Sequence, residues 1–136
     1  YTDEEKANMY IEMSNYYLQR LENLSKAAES ARLAIQKSST VAGRGNLILG
    51  LIWGSLKCNG GNEVESRAKY WVAVDYLTRA RAADSSIADE ANRYIQLYTQ
   101  YFPAQEEAFM FDIIDGQNFT VSCGGMREVT KVRTRK

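Results

Sequence analysis

The 136-residue chain has no histidine, a single proline (Pro103), two cysteines, and no net charge, 17 bases standing against 17 acids. Without histidine, no side chain has an unperturbed pKa near neutral, so the commonest general base is missing. The scarcity of proline leaves almost every backbone N–H free to enter a helix. Two cysteines, Cys58 and Cys123, are too few for a disulfide framework and have no metal-ligand partners nearby. Their spacing alone leaves open whether they are free or bridged, and in which redox compartment. Zero net charge gives no global field to attract nucleic acid or an anionic membrane. The longest apolar stretch, residues 47–56, is broken by Gly50, Gly54 and Ser55. It is about half of the ~20 residues a membrane-spanning helix needs, so no transmembrane segment is expected. No signal peptide is visible and the sequence starts at Tyr1 without a Met, which reads as a processed or excised piece.

What is present favours helix. Apolar residues make up 45% and charged residues 25%, a composition that can build the core of one domain. Thr2-Asp3-Glu4-Glu5 reads as a capping box, and behind it Tyr10, Met13, Tyr17, Leu21 and Leu24 recur as one apolar face. A second helix follows Leu24-Ser25, with alanines (Ala27, Ala28, Ala31, Ala34) on its inner face. Residues 40–57 are apolar nearly all round and predict the central helix. Cys58-Asn59-Gly60-Gly61-Asn62 breaks the chain, and further helices are predicted over 64–83, 87–101 and, beyond Pro103, 104–112. From residue 112 the character changes: two alternating runs around Gly124-Gly125 predict a β-hairpin that packs on the last helices. Residues 104–112 are expected to pack on the helix over 87–101, and the hairpin to dock by Phe119, Val121, Val129 and Val132 with its basic side chains outside. The organisation expected is therefore a helical domain over 1–111 and an extended tail over 112–136. The five bases of residues 126–136, against one acid, give that tail +4 and the body −4. Such a terminal cluster reads as solvated.

An internal echo runs through the helices. Ala27, Ala31, Ala34 and Ser39 have the same spacing as Ala73, Leu77, Ala80 and Ser85. Each set follows a helix with a small residue after a large one, Met13-Ser14 before Tyr17 and Leu49-Gly50 before Trp53. This resembles the tetratricopeptide repeat (TPR), in which small residues let two antiparallel helices touch and large ones fill the gap to the next pair. The resemblance implies an α-α superhelix, a TPR-like α-solenoid of about two and a half repeats. The sequence departs from the pattern in having Ser39 and Ser85 where the repeat closes on proline, and about eleven extra residues inside the second repeat. The last half, with YWVAVDYLTRARAAD, YFPAQEEAF, DGQNFTVSCGG and VRTRK, is similar to the C-terminal end of uncharacterised TPR proteins of the Bacteroidetes. That resemblance implies a longer parent protein in the periplasm or cell envelope, and supplies no catalytic residues.

Paired acids at Glu4/Glu5, Glu106/Glu107 and Asp112/Asp115 are better explained by helix starts and solvated faces than by acid–base work. Gly43-Arg44-Gly45 and Gly60-Gly61 lack the spacing and the lysine of a phosphate loop. Asn118-Phe119-Thr120 is a glycan acceptor triplet without meaning in such a bacterium. No enzyme, cofactor or metal site is expected. The TPR resemblance implies a scaffold that binds a protein or peptide partner, in a groove matching Arg44, Leu47, Leu51 and Ser55. The alternative is a glycan-binding module with surface aromatics, for which Tyr16, Tyr70, Trp71 and Tyr101 are the candidates. Exposed planar rings would favour sugars; rings in the core would not.

Overall fold

The capping box at the start forms as the sequence reads. In the computed structural model, which describes residues 1–135, the Thr2 hydroxyl accepts from the Glu5 N–H at 3.1 Å and the Glu5 carboxylate from the Thr2 N–H at 3.0 Å. Helix α1 (Asp3–Gln19) follows, then α2 (Leu24–Lys37), α3 (Ala42–Ser55), α4 (Glu63–Arg67), α5 (Lys69–Ala83), α6 (Ala88–Thr99) and α7 (Gln105–Met110). Strands β1 (Asn118–Cys123) and β2 (Met126–Lys131) close the chain as an antiparallel hairpin. The fold is mainly helical, with no strand before the tail among the described residues. The helix expected over 64–83 is broken at Ala68, whose buried side chain seats the turn between α4 and α5.

The long helices pack in chain order: α1 on α2, α2 on α3, α3 on α5, α5 on α6, with α1 also touching α3. Short connections force α2, α3 and α6 each to run back along the helix before it. Two of those connections are copies of one another. Ser38 (φ −155°, ψ 129°) and Asp84 (φ −149°, ψ 106°) each end a helix and cap a single 3₁₀ turn, Ser39–Val41 and Ser85–Ile87. Each cap accepts from the backbone N–H two residues on, at Thr40 and Ser86. In the helices that lead into them, Ala27, Ala31 and Ala34 of α2 correspond to Ala73, Leu77 and Ala80 of α5, all fully buried.

The preceding helices correspond as well. The buried Ser14 hydroxyl of α1 donates to the Ala27 carbonyl at 2.6 Å. On α3 the matching position is Gly50, where a Cβ would lie 2.8 Å from the Leu77 side chain and 3.1 Å from the Ala73 carbonyl. Anything larger than glycine must therefore push α5 away. The core is centred on α3 and α5, where Trp53, Leu49, Ile52, Trp71 and Leu77 are all but sealed from solvent.

Three expectations need correction. The buried stripe of α1 is Ala7, Ile11 and Ser14, flanked by half-buried Tyr10 and Tyr17, whereas Met13 and Leu21 face out. Small residues win the inner face because α2 presents alanines there, and only a small stripe permits that approach. Second, the segment after Pro103 does not cover α6. Phe109 of α7 is 70% exposed, and Glu107 caps Ala104 and pairs with Arg67 of α4 at 2.8 Å. Helix α6 is left open to solvent on a face that carries Arg93, Gln96 and Gln100 together with Leu97, which is 42% exposed.

Third, the hairpin docks on α5 by Val121, Cys123, Thr130 and Val132, with Phe119 half-buried, while Val129 is 65% exposed. Val129 pairs with Thr120 on the outer face. The inner positions of β2 go instead to Glu128 and Thr130, because Tyr76 and Asp75 of α5 offer them partners. Arg133 is likewise held in rather than left outside: it lies 2.9 Å from Asp75 and its guanidinium also donates to the Trp71 carbonyl at 2.7 Å.

A disulfide between Cys58 and Cys123 ties the loop after α3 to the end of β1, across 65 residues of sequence.

Candidate interaction surfaces

The four positions matched to a TPR groove all lie on α3 and do not share one environment. Arg44 is exposed and donates to Asn8 Oδ1 of α1 at 2.6 Å. It also faces Asp84, whose carboxyl is held below its usual value chiefly by the Ser86 hydroxyl and N–H, with Arg44 adding to the effect. Leu47 is buried, so it supports the surface without lining it, and Leu51 is half-buried. Ser55 is exposed, donates to the Leu51 carbonyl at 2.8 Å, and borders an open depression of about 780 Å³. Leu21, Leu24, Lys57 and Gly124 line the same depression, between the α1–α2 turn and the hairpin tip. Arg44 and Ser55 thus mark the two ends of α3, about 16 Å apart at 1.5 Å per residue.

The aromatic set is only half assembled. Trp71 is fully buried, edge-on to Phe119 at 5.5 Å, with its indole N–H donating to the Arg133 carbonyl at 2.8 Å. It belongs to the hairpin's docking site, which removes it from any platform. Tyr16 sits alone with Tyr17 on α1. Tyr70 and Tyr101 do stack, with ring centres 4.8 Å apart and planes 24° apart, and Tyr98 packs 5.4 Å from Tyr70. Burial pushes the Tyr98 phenol up to about 12, the nearby tyrosines adding to the effect. The Lys69 ammonium stands 5.0 Å from the Tyr70 ring centre, and burial lowers its pKa although it donates to the Leu56 carbonyl.

One member of each acid pair has a structural partner. Glu5 is held low by the Thr2 backbone N–H and hydroxyl, and Glu107 by the Ala104 N–H and then by Arg67. Asp115 accepts from the Thr134 N–H at 2.8 Å. A carboxyl held in its ionised form is poorly suited to act as a general acid. Among the described residues no three His, Cys, Asp or Glu side chains gather as a metal site, and no helix is long and apolar enough to cross a membrane.

Two features were not read from the sequence. The Cys58–Cys123 pairing has only a faint signal, a double glycine shortly after each cysteine. The second, an outward stripe of Met9, Met13 and Tyr16 on α1, does have one: these residues recur at four and three, on the face opposite the inner stripe. The chain matches no family model, no curated protein and no solved structure.

Proposed function

We propose that this chain is a non-catalytic, TPR-like scaffold that holds a protein or peptide partner. The single observation that carries the reading is the duplicated helix–turn–helix junction, at Ser38 and at Asp84, with the same alanine-and-leucine register behind each. A fold that repeats its packing unit leaves one edge of each pair open along its length, and such surfaces suit extended or helical ligands. Arg44 and Ser55 mark that edge here. The ionised, hydrogen-bonded state of Glu5, Asp84 and Glu107 also speaks for a structural rather than a catalytic use of the acids. We place the chain in an oxidising compartment such as the bacterial periplasm or envelope, because disulfides persist there and are reduced in most cytosols. The glycan-binding alternative retains only the Tyr70–Tyr101 stack, Trp71 having gone to the core.

Affinity capture from an envelope extract, run in parallel with the unchanged chain, an Arg44→Glu/Ser55→Arg variant and a Tyr101→Ala variant, tests the reading. A protein held by the unchanged chain and by Tyr101→Ala but lost from the double variant would support the groove. Retention by the double variant, or binding of polysaccharide that only Tyr101→Ala removes, would overturn it.

A further inference from the structure

Two steps of the chain place an Asn or Asp before a glycine, Asn59-Gly60 and Asp115-Gly116. Such steps can close a five-membered ring, because glycine has no side chain to bar its backbone nitrogen from the preceding Cγ. What holds the two reacting groups decides whether the ring forms. The two glycines are alike in backbone and surroundings. Gly60 has φ +85° and Gly116 φ +90°, both are exposed, and at each a Cβ would meet nothing within 4 Å.

Hydrogen bonds separate them. The Gly116 N–H donates to the Val132 carbonyl at 2.9 Å, so the nitrogen that would attack is engaged. The Asp115 carboxylate accepts from the Thr134 N–H at 2.8 Å and from its hydroxyl at 3.1 Å, which ties it to residue 134. At the other step the Gly60 N–H has no hydrogen-bond partner among the described residues, and the exposed Asn59 carboxamide has none either. The chain on both sides is anchored. Cys58 is held by its bridge to Cys123, and Asn62 by its capping box with Glu65 at 2.8 and 3.0 Å. Asn59, Gly60 and Gly61 form the span between these anchors.

We infer that Asn59 is a site of spontaneous deamidation, and that the fold shields the chain's other glycine step from the same chemistry. The Gly60 nitrogen gives its proton to a solvent base and attacks Asn59 Cγ. The Cγ–Nδ2 bond breaks, and the nitrogen leaves as ammonia with a proton from solvent. One water then opens the succinimide. Attack at Cγ yields aspartate; attack at the main-chain carbonyl yields isoaspartate, in which the backbone runs through the side chain. One water is consumed, one ammonia is released, and nothing is oxidised or reduced. The product carries a new carboxylate, so the balance of 17 bases and 17 acids tips to one excess negative charge. That charge arrives in a depression of about 480 Å³ which Asn59 shares with Lys57, Arg127 and the hairpin tip at Gly124 and Gly125, and which no acid lines. Exposed ion pairs of this kind contribute little to stability, so the conversion alters surface charge and leaves the fold in place. Lys57 also borders the depression beside Ser55, but the inference does not rest on that edge binding anything.

The variant Asp115→Asn puts one dipeptide in both places, and its carboxamide oxygen can still accept from the Thr134 N–H. Unchanged chain and variant are incubated at mildly alkaline pH, folded and in concentrated guanidinium, and each site is followed by peptide mapping with mass spectrometry. Conversion shows as the replacement of NH₂ by OH and as the splitting of one peptide into aspartyl and isoaspartyl forms. In the folded variant Asn59 should convert about ten-fold or more faster than position 115, whose hydrogen bonds must break first. In guanidinium the two rates should come together. Asn59→Gln should remove the acidic form that ion exchange resolves from the aged chain. Equal rates at the two positions in the folded variant would overturn the inference. The unchanged chain gives a second measure that holds even if Asp115→Asn fails to fold. Its Asn59 should convert at a similar rate folded and unfolded, and a folded rate ten-fold lower would show that the loop is held after all and overturn the inference.

Discussion

Removing the Cys58–Cys123 bridge by Cys58→Ala/Cys123→Ala should cost about 4 kcal/mol at 25 °C. The bridge closes 65 residues of chain, and the loop-closure relation for that length gives an entropy of roughly −15 cal/mol/K in the unfolded state. At about 3 °C of melting temperature per kcal/mol for a domain of this size, the midpoint should fall by about 12 °C. The loss should appear as one transition. Between β1 and the helices the bridge is the only covalent tie, but the tail keeps other anchors on α5: the Trp71 indole to the Arg133 carbonyl, and Asp75 to both Arg133 and Thr130. These hold the hairpin in place until the helices melt. Thermal unfolding followed together by helical circular dichroism and by tryptophan fluorescence, with and without reductant, is the measurement. Reduced parent and double variant should melt together, both about 12 °C below the oxidised parent. A midpoint shift under 3 °C would refute the loop-closure reasoning. A fluorescence change well below the loss of helix would refute the docking part, by showing that the tail leaves first.

The two tryptophans should respond differently to replacement by phenylalanine. Trp71→Phe loses a hydrogen bond and strands the Arg133 carbonyl, about 1–3 kcal/mol beyond the packing loss. Trp53→Phe removes a buried indole N–H that has no partner among the described residues, so denaturant titration should find it the milder change. Gly50→Ala should destabilise by about 1–2 kcal/mol despite the better helix propensity of alanine, because its Cβ meets Leu77 and the Ala73 carbonyl. Equal or raised stability by the same titration would show that α5 yields freely. Tyr76, raised to about 12 by burial and then by its bond to Glu128, and Tyr98, also about 12, add stability below pH 10 that is lost as pH rises toward 12. Absorbance at alkaline pH should show tyrosines titrating late and together with unfolding, and Tyr76→Phe should flatten that dependence. Glu107 runs the other way: its lowered carboxyl adds stability above pH 4.5 that is lost on acidification, so Glu107→Gln should blunt the acid-side loss in a pH series of melts.

Local rules in the sequence were enough for the helices, the break at Ala68 between α4 and α5 excepted. The Thr2 capping box, the break at Gly60-Gly61, the stop at Asp84 and the hairpin around Gly124-Gly125 depend on residues within a few positions of each other, so they can be read directly. The alanine register of α2 and α5 could be read too, because close approach of helices demands small side chains whatever the neighbour. Which of two apolar stripes a helix buries could not. Met13 and Ile11 are both apolar and lie on opposite faces of α1, about 160° apart at 3.6 residues per turn, and only the position of α2 makes one core and the other surface. The hairpin's phase has the same character: Val129 is the better apolar residue, yet Thr130 goes inside because Asp75 and Arg133 meet there. The pairing of Cys58 with Cys123, and the withdrawal of Trp71 into the core, need two segments some 60 residues apart in sequence to arrive at one place. Patterning fixes which side chains prefer to leave water, and the packed neighbours alone fix which of them can.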